Sequence, residues 1–229
     1  IRSRGNWRTI KEFVEKHSAD EKRAIDLLES LSYKDLRDMP MEILEDQMAA
    51  KSDELCPRVE SEMILKPFKV FFEKAFSNDA KKFKENPALL VNWVRTNIKL
   101  NPDKHAMRIP QTPISTWESR VADERSRNIF FVDVARSLGI EAQQDGVTGK
   151  VQYKKDGQWV DVDFETTQQQ VAKTGKLVLD YKPTEFLDDP KYYTHFTISK
   201  IVNGQTLLMN FDESADGSTY GATWANAFK

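Results

Sequence analysis

The chain of 229 residues carries 34 Lys and Arg against 36 Asp and Glu, a net charge of −2, with a mean hydropathy of −0.61. Such a length buries a substantial core in one large or two modest domains, and the balanced charge gives no bulk attraction for nucleic acid or anionic lipid. The single cysteine, Cys56, excludes an internal disulfide and a Cys-rich metal site, and no apolar run reaches the roughly eighteen residues needed to span a bilayer.

No leader is visible, and the start at Ile1 in place of Met reads as a fragment or a processed form. Residues 1–85 read as a helical region. Asn6 precedes an apolar stripe of Trp7, Ile10, Phe13 and Val14. Ser18 and Glu21 stand at capping-box spacing before Ala24, Ile25, Leu27, Leu28 and Leu31. Pro40 opens another helix with Ile43, Leu44 and Met48, its place in the first turn matching the fixed φ of proline. Cys56 sits just before Pro57 with no histidine near it in sequence, so it reads as a packed structural thiol. Phe68, Phe71, Phe72, Phe76 and Phe83 recur at helical spacing. They read as core or interface, because Glu62, Glu73 and Asp79 balance the interleaved lysines.

Residues 86–166 form the expected core. Asn86-Pro87 caps a helix with Leu89, Leu90, Trp93, Val94 and Ile98, and a proline-rich stretch, 101–122, follows it. Within that stretch Trp117 is expected against the next helix or on a cleft wall, and His105 in solvent. From Asp123 to Gly139 the sequence has a capping residue, an apolar body and a stop. Ile129 to Val132, Val134, Ala135 and Leu138 leave only a thin polar stripe, so a central buried helix is predicted. Period-two alternation then begins: Val147, Gly149, Val151 and Tyr153, a hairpin at Lys155-Asp156-Gly157, and Trp159, Val160, Val162 and Phe164. Asp161, Asp163 and Glu165 alternate on the second strand, but no glycine-containing Asp-rich loop supports calcium, and no metal site is expected.

Residues 167–229 read as an antiparallel β-domain, sandwich-like. Strands are predicted over 176–181 and 193–202, with a hairpin at Asn203-Gly204 into 205–211. His195, between aromatic residues, is expected to be packed and hydrogen-bonded. The predicted class is α+β, a central helix packed on an antiparallel sheet.

Two segments carry a resemblance. Ala135-Arg-Ser-Leu-Gly-Ile-Glu-Ala142 resembles the end of the nucleophile helix in transglutaminase-like, papain-related cysteine enzymes, and Trp159-Val-Asp-Val-Asp163 resembles the strand bearing their third triad member. More loosely, phrases such as Tyr33-Lys-Asp-Leu-Arg-Asp38 and Tyr192-Tyr-Thr-His-Phe-Thr197 resemble those of a bacterial extracytoplasmic group with a helical region, such a core and a β-domain. The resemblance implies an extracytoplasmic setting and no cofactor. It places the nucleophilic Cys fifteen residues before the glycine and the His eleven before the tryptophan, which here are Glu124 and Thr148; the Asp falls on Asp163.

A thiolate and an imidazole are what this chemistry needs. The carboxylate of Glu124 is a poor nucleophile toward amides, and Thr148 has no proton affinity near neutral pH. The resemblance therefore implies a degenerate triad and a cleft that binds a peptide or glycan, with Trp117, Asp123, Ser126, Arg127 and Trp159 as its candidate residues. Two other readings stand beside it. Glu124, Asp123, Asp163 and Ser126 would converge in a rebuilt hydrolase site of glycosidase or peptidase type, or the Phe-rich helices and β-domain would serve assembly alone.

Overall fold

A computed structural model describes residues 3–101, 109–167, 169–171, 181–188, 190–202 and 204–211. The architecture is α+β. Contacts divide the chain into two compact units. The first is Ile1–Gln144 with Val151–Val171, and the second is Asp145–Lys150 with Ala172–Lys229.

In the first unit, helices α1 (Trp7–Lys16), α2 (Glu21–Glu29), α3 (Tyr33–Asp38) and α4 (Met41–Ala49) enclose an apolar cluster. Phe13, Ala24, Leu27, Ile43 and Leu44 lie at its centre, each 1% exposed or less. The stripe predicted on α1 turns inward at Phe13, whereas Trp7 is half exposed. The Asn6 side chain does not cap α1. Its Nδ2 donates instead to the Met39 carbonyl at 3.0 Å, tying the start of the chain to the end of α3. The capping box at Ser18 does not form, because Ser18–Asp20 is a short 3-10 turn ahead of α2. A working side-chain cap occurs at α3, where the Ser32 hydroxyl accepts the Asp35 amide at 3.1 Å and donates to its carboxylate at 2.7 Å.

Helices α5 (Lys69–Ala75), α6 (Ala80–Glu85), α7 (Ala88–Asn97) and α8 (Pro113–Ser119) surround α9 (Glu124–Ser137), the predicted central helix. A short parallel pair, β1 (Lys99–Leu100) and β2 (Val121–Ala122), leads into it. Ten of its fourteen residues are buried, Ile129 to Ala135 among them. Its stop is a Schellman motif: with Gly139 at φ +72, the Ile140 amide donates to the Ala135 carbonyl and the Gly139 amide to that of Arg136, both at 3.0 Å. Phe68, Phe72, Phe76 and Phe83 join the core around α9, with Leu90, Val91 and Val94 of α7. Phe71, at 38% exposure, sits at the edge of this layer against Phe72 and Trp117.

The sheet has the order β3 (Ala142–Gln144), β4 (Val151–Lys155), β5 (Gln158–Asp161) and β6 (Gln170–Val171), all antiparallel. The hairpin falls where expected, and Asp156 and Gly157 both have positive φ, as its two-residue turn demands. Tyr153 and Val160 pair across the strands and face α9; Lys154 and Trp159, one step along, face away. β4 begins only at Val151, later than the alternation from Val147 predicts. Residues 145–150 fold into a turn, in which the Gly149 amide donates to the Asp145 carbonyl at 2.8 Å.

The second unit contains this turn and the hairpin of β7 (Ser199–Val202) and β8 (Gln205–Leu208), which reverses through Gly204 at φ +78. Asn203 and residues 176–180 of the strand predicted over 176–181 lie outside the described residues. The strand predicted from Tyr193 begins only at Ser199. Tyr193 has φ +64, and residues 193–195 form a turn. Tyr192, 1% exposed, holds it: its hydroxyl accepts the Ile198 amide at 3.0 Å and donates to the Met209 carbonyl.

Candidate functional site

The start of the central helix is shaped by its own sequence. Asp123 is extended, and its Oδ1 accepts the Ser126 amide at 2.6 Å. This bond satisfies a free N–H of the first turn and sets a negative charge at the positive end of the helix. Ser126 is fully buried, and its hydroxyl accepts the Gln111 amide at 2.9 Å. Glu124 is exposed and has no hydrogen-bond or ion-pair partner among the described residues. Arg127, 7% exposed, lays its guanidinium 4.5 Å from the Phe164 ring centroid and reaches Glu165 at 3.5 Å. That carboxylate is exposed, so the pair contributes little.

The segment after β5 is thus brought to the first turn of α9, with the Phe164 ring 5.8 Å from that of Phe131. Asp163 lies in this segment, but its carboxylate accepts the Glu165 amide at 2.8 Å and is exposed. β5 ends at Asp161, so Asp161, Asp163 and Glu165 do not form the row of carboxylates expected on one strand. Thr148 belongs to the second unit, where the Asp145 carboxylate accepts both its amide and its hydroxyl.

The two candidate tryptophans stand on different layers. Trp159 is on the outer face of the sheet, with Lys154 Nζ 5.7 Å from its centroid. Trp117 stacks on Trp93 at 5.5 Å and meets Phe72 and Phe76 edge-on. The side chains gathered at the helix start are therefore Asp123, Glu124, Ser126 and Arg127, with Phe164 and Glu165. They include a sealed hydroxyl, a capping carboxylate and two solvent-facing carboxylates, Glu124 and Glu165.

Cys56 lies at the other end of α9. Its Sγ is 3.4 Å from the Arg58 carbonyl, and its own carbonyl accepts from Arg136 at 3.1 Å. Arg136 is twelve residues beyond Glu124, about 18 Å along the helix axis. His195 is exposed in the second unit, its Nδ1 accepting the Lys191 amide at 2.8 Å; it is not packed as expected. His105 lies outside the described residues.

No family model, curated protein or solved structure matches the chain.

No group of three or more His, Cys, Asp or Glu that would hold a metal ion occurs among the described residues, and none of their helices is long and apolar enough to cross a membrane.

Sequence reading missed a set of buried polar groups in the first unit. Asp35 is 1% exposed and receives Arg58 Nε at 3.0 and 2.9 Å on its two oxygens. Glu62, 4% exposed, accepts the amides of Val59 and Glu60 at 2.9 Å each. Lys69 is fully buried and donates to the Glu54 carbonyl; burial, with Arg23 nearby, lowers its pKa to about 8. Asp133 on α9 is 2% exposed, and its Oδ1 has no partner. The one signal in the sequence was an Asp inside an apolar helix.

Burial pushes the Asp133 carboxyl well above the usual carboxylate range, and Glu62 adds to this while Arg136 and Lys69 oppose it. The unfolded chain releases that proton in the ordinary range, so the folded state loses stability as pH rises from there toward the raised value. Asp133→Asn removes the ionisable group. It is expected to raise stability at pH 7, with the gain shrinking toward pH 4. Urea melts of both proteins at the two pH values measure it.

Proposed function

We propose that the chain is a non-catalytic, transglutaminase-like protein that binds a peptide or glycan at the start of its central helix. Support comes first from the two segments, Ala135–Ala142 and Trp159–Asp163, that resemble that superfamily. The carrying observation is the first turn of α9. Where the resemblance calls for a nucleophile, Glu124 stands exposed, Ser126 is sealed and bonded to Gln111, and Asp123 is committed to the cap. An attacking group needs both exposure and a base within hydrogen-bond reach, and this turn supplies no such pair. The rebuilt-hydrolase reading has less support, because two of its three carboxylates, Asp123 and Asp163, already hold backbone amides.

Incubation with a glutamine peptide and an amine, with peptide esters and with aryl glycosides is expected to give no turnover above that of Glu124→Ala. Ligand-observed NMR against peptide and glycan mixtures is expected to detect binding to the same protein. Transamidation or hydrolysis that vanishes in Glu124→Ala would overturn the non-catalytic reading.

A further inference from the structure

Arg120 is a cation without a counter-charge among the described residues. It follows α8 in the left-handed region, φ +59, a conformation that costs a non-glycine residue energy. Its guanidinium carbon lies 3.8 Å from the Trp117 centroid and 5.3 Å from that of Trp93. The two indoles are nearly parallel, 11° apart. None of the five N–H donors of Arg120 finds an acceptor among the described residues, and its Nη1 is shielded from solvent without a partner.

Other partly buried arginines differ. Arg23 reaches Asp53, Arg58 reaches Asp35, Arg127 reaches Glu165, and Arg136 donates to three carbonyls. For Arg120, burial holds the pKa below its ordinary value and no acid opposes it. Aromatic contact recovers only part of what a guanidinium loses on leaving water.

The geometry points to Arg120, backed by Trp117 and Trp93, as a receptor for the carboxylate of an acidic peptide. Nη1 is shielded, but Nε and Nη2 are not, and that edge of the guanidinium fork matches a carboxylate bidentately. Trp93 and the guanidinium together occupy one side of Trp117, leaving no room there for a sugar ring to stack, which favours a peptide over a glycan. Arg120 also lies three residues before Asp123, beside the helix start. The inference rests on the ligand-binding reading above and narrows its ligand.

The test is titration calorimetry of the full chain with an acetylated Ala/Glu hexapeptide, its Ala/Gln counterpart and trigalacturonate. The Glu peptide is expected to bind about tenfold or more tightly than the Gln peptide, the size of a charge-assisted hydrogen bond. Arg120→Met and Arg120→Lys should both erase that preference, because lysine keeps the charge without the fork; Arg37→Met, an exposed charge on α3, should keep it. Circular dichroism establishes that each variant is folded, and the wild-type comparison of the two peptides needs no variant. Equal binding of both peptides, unchanged by either Arg120 substitution, overturns this site and leaves the ligand-binding reading standing. Arg120-dependent binding of trigalacturonate alone overturns the peptide assignment. No binding of any probe overturns both.

Discussion

Replacing Arg58 by alanine is expected to cost about 3–5 kcal/mol of folding stability, the loss that follows when one partner of a buried ion pair is removed. Both Asp35 oxygens accept from this one guanidinium, and the same group donates to the Glu62 carbonyl and approaches its carboxylate at 3.7 Å. Asp35 is 1% and Glu62 4% exposed, so both carboxylates lose their shared cation while buried. The pH dependence is specific. Burial on its own raises the Asp35 pKa, but the bonds from Arg58 and Ser32 outweigh it and hold the carboxyl below the usual range. The stability that Asp35 carries is therefore present above the ordinary aspartate pKa and is lost as pH falls through the lowered value. Without Arg58 the carboxyl moves upward. The deficit of the variant should thus be largest near neutral pH and shrink in acid. Urea unfolding of wild type, Arg58→Ala and Arg58→Lys across pH 3–7 reads this out, with lysine intermediate because it lacks the fork.

Phe130→Ala is expected to have a similar effect for an apolar reason, about 3–5 kcal/mol. The ring is fully buried in the middle of α9, edge-on to Phe72 at 5.5 Å and stacked over Trp93 at 6.4 Å. Its removal opens a cavity bounded by three helices that are themselves packed on other elements, so collapse recovers little. Phe71→Ala, at the half-exposed edge of the same aromatic layer, should cost less than about 1 kcal/mol. Denaturant midpoints of the two variants decide the matter, and near-equal losses would show that the layer is not anchored on the central helix.

The central helix was legible in the sequence because all its signals agree locally. Asp123 caps, Gly139 stops, and the apolar body leaves little polar surface. The hairpin at Asp156-Gly157 was legible for the same reason, since its turn fixes the register. What escaped depends on distant partners. Val147 and Gly149 alternate like strand residues, but the Asp145 carboxylate captures the Thr148 amide and closes a turn. Tyr192 lies in an aromatic run that reads as strand, yet bonds from its hydroxyl to Ile198 and Met209 bend the chain. At the start of the helix, the local sequence signalled the Asp123 cap. It could not reveal that Ser126 is sealed by Gln111, or that Arg120 lacks an acid while Arg58 has one. The Ser126 and Arg58 bonds join groups 15 or more residues apart in sequence.

The backbone enters the second unit twice, once through 145–150 and again from Ala172 onward. Stopping the chain at Val171 would therefore not remove that unit cleanly. It would strand the six-residue turn and delete the Asn210 amide that the Val147 carbonyl accepts at 3.3 Å. Gln144 and Val151 are cross-strand partners, however, so a tight two-residue reversal can join them directly. Dissecting this protein takes two coordinated excisions, and a limited-proteolysis cut near residue 171 alone should leave an N-terminal piece with a flapping loop at one end of its sheet.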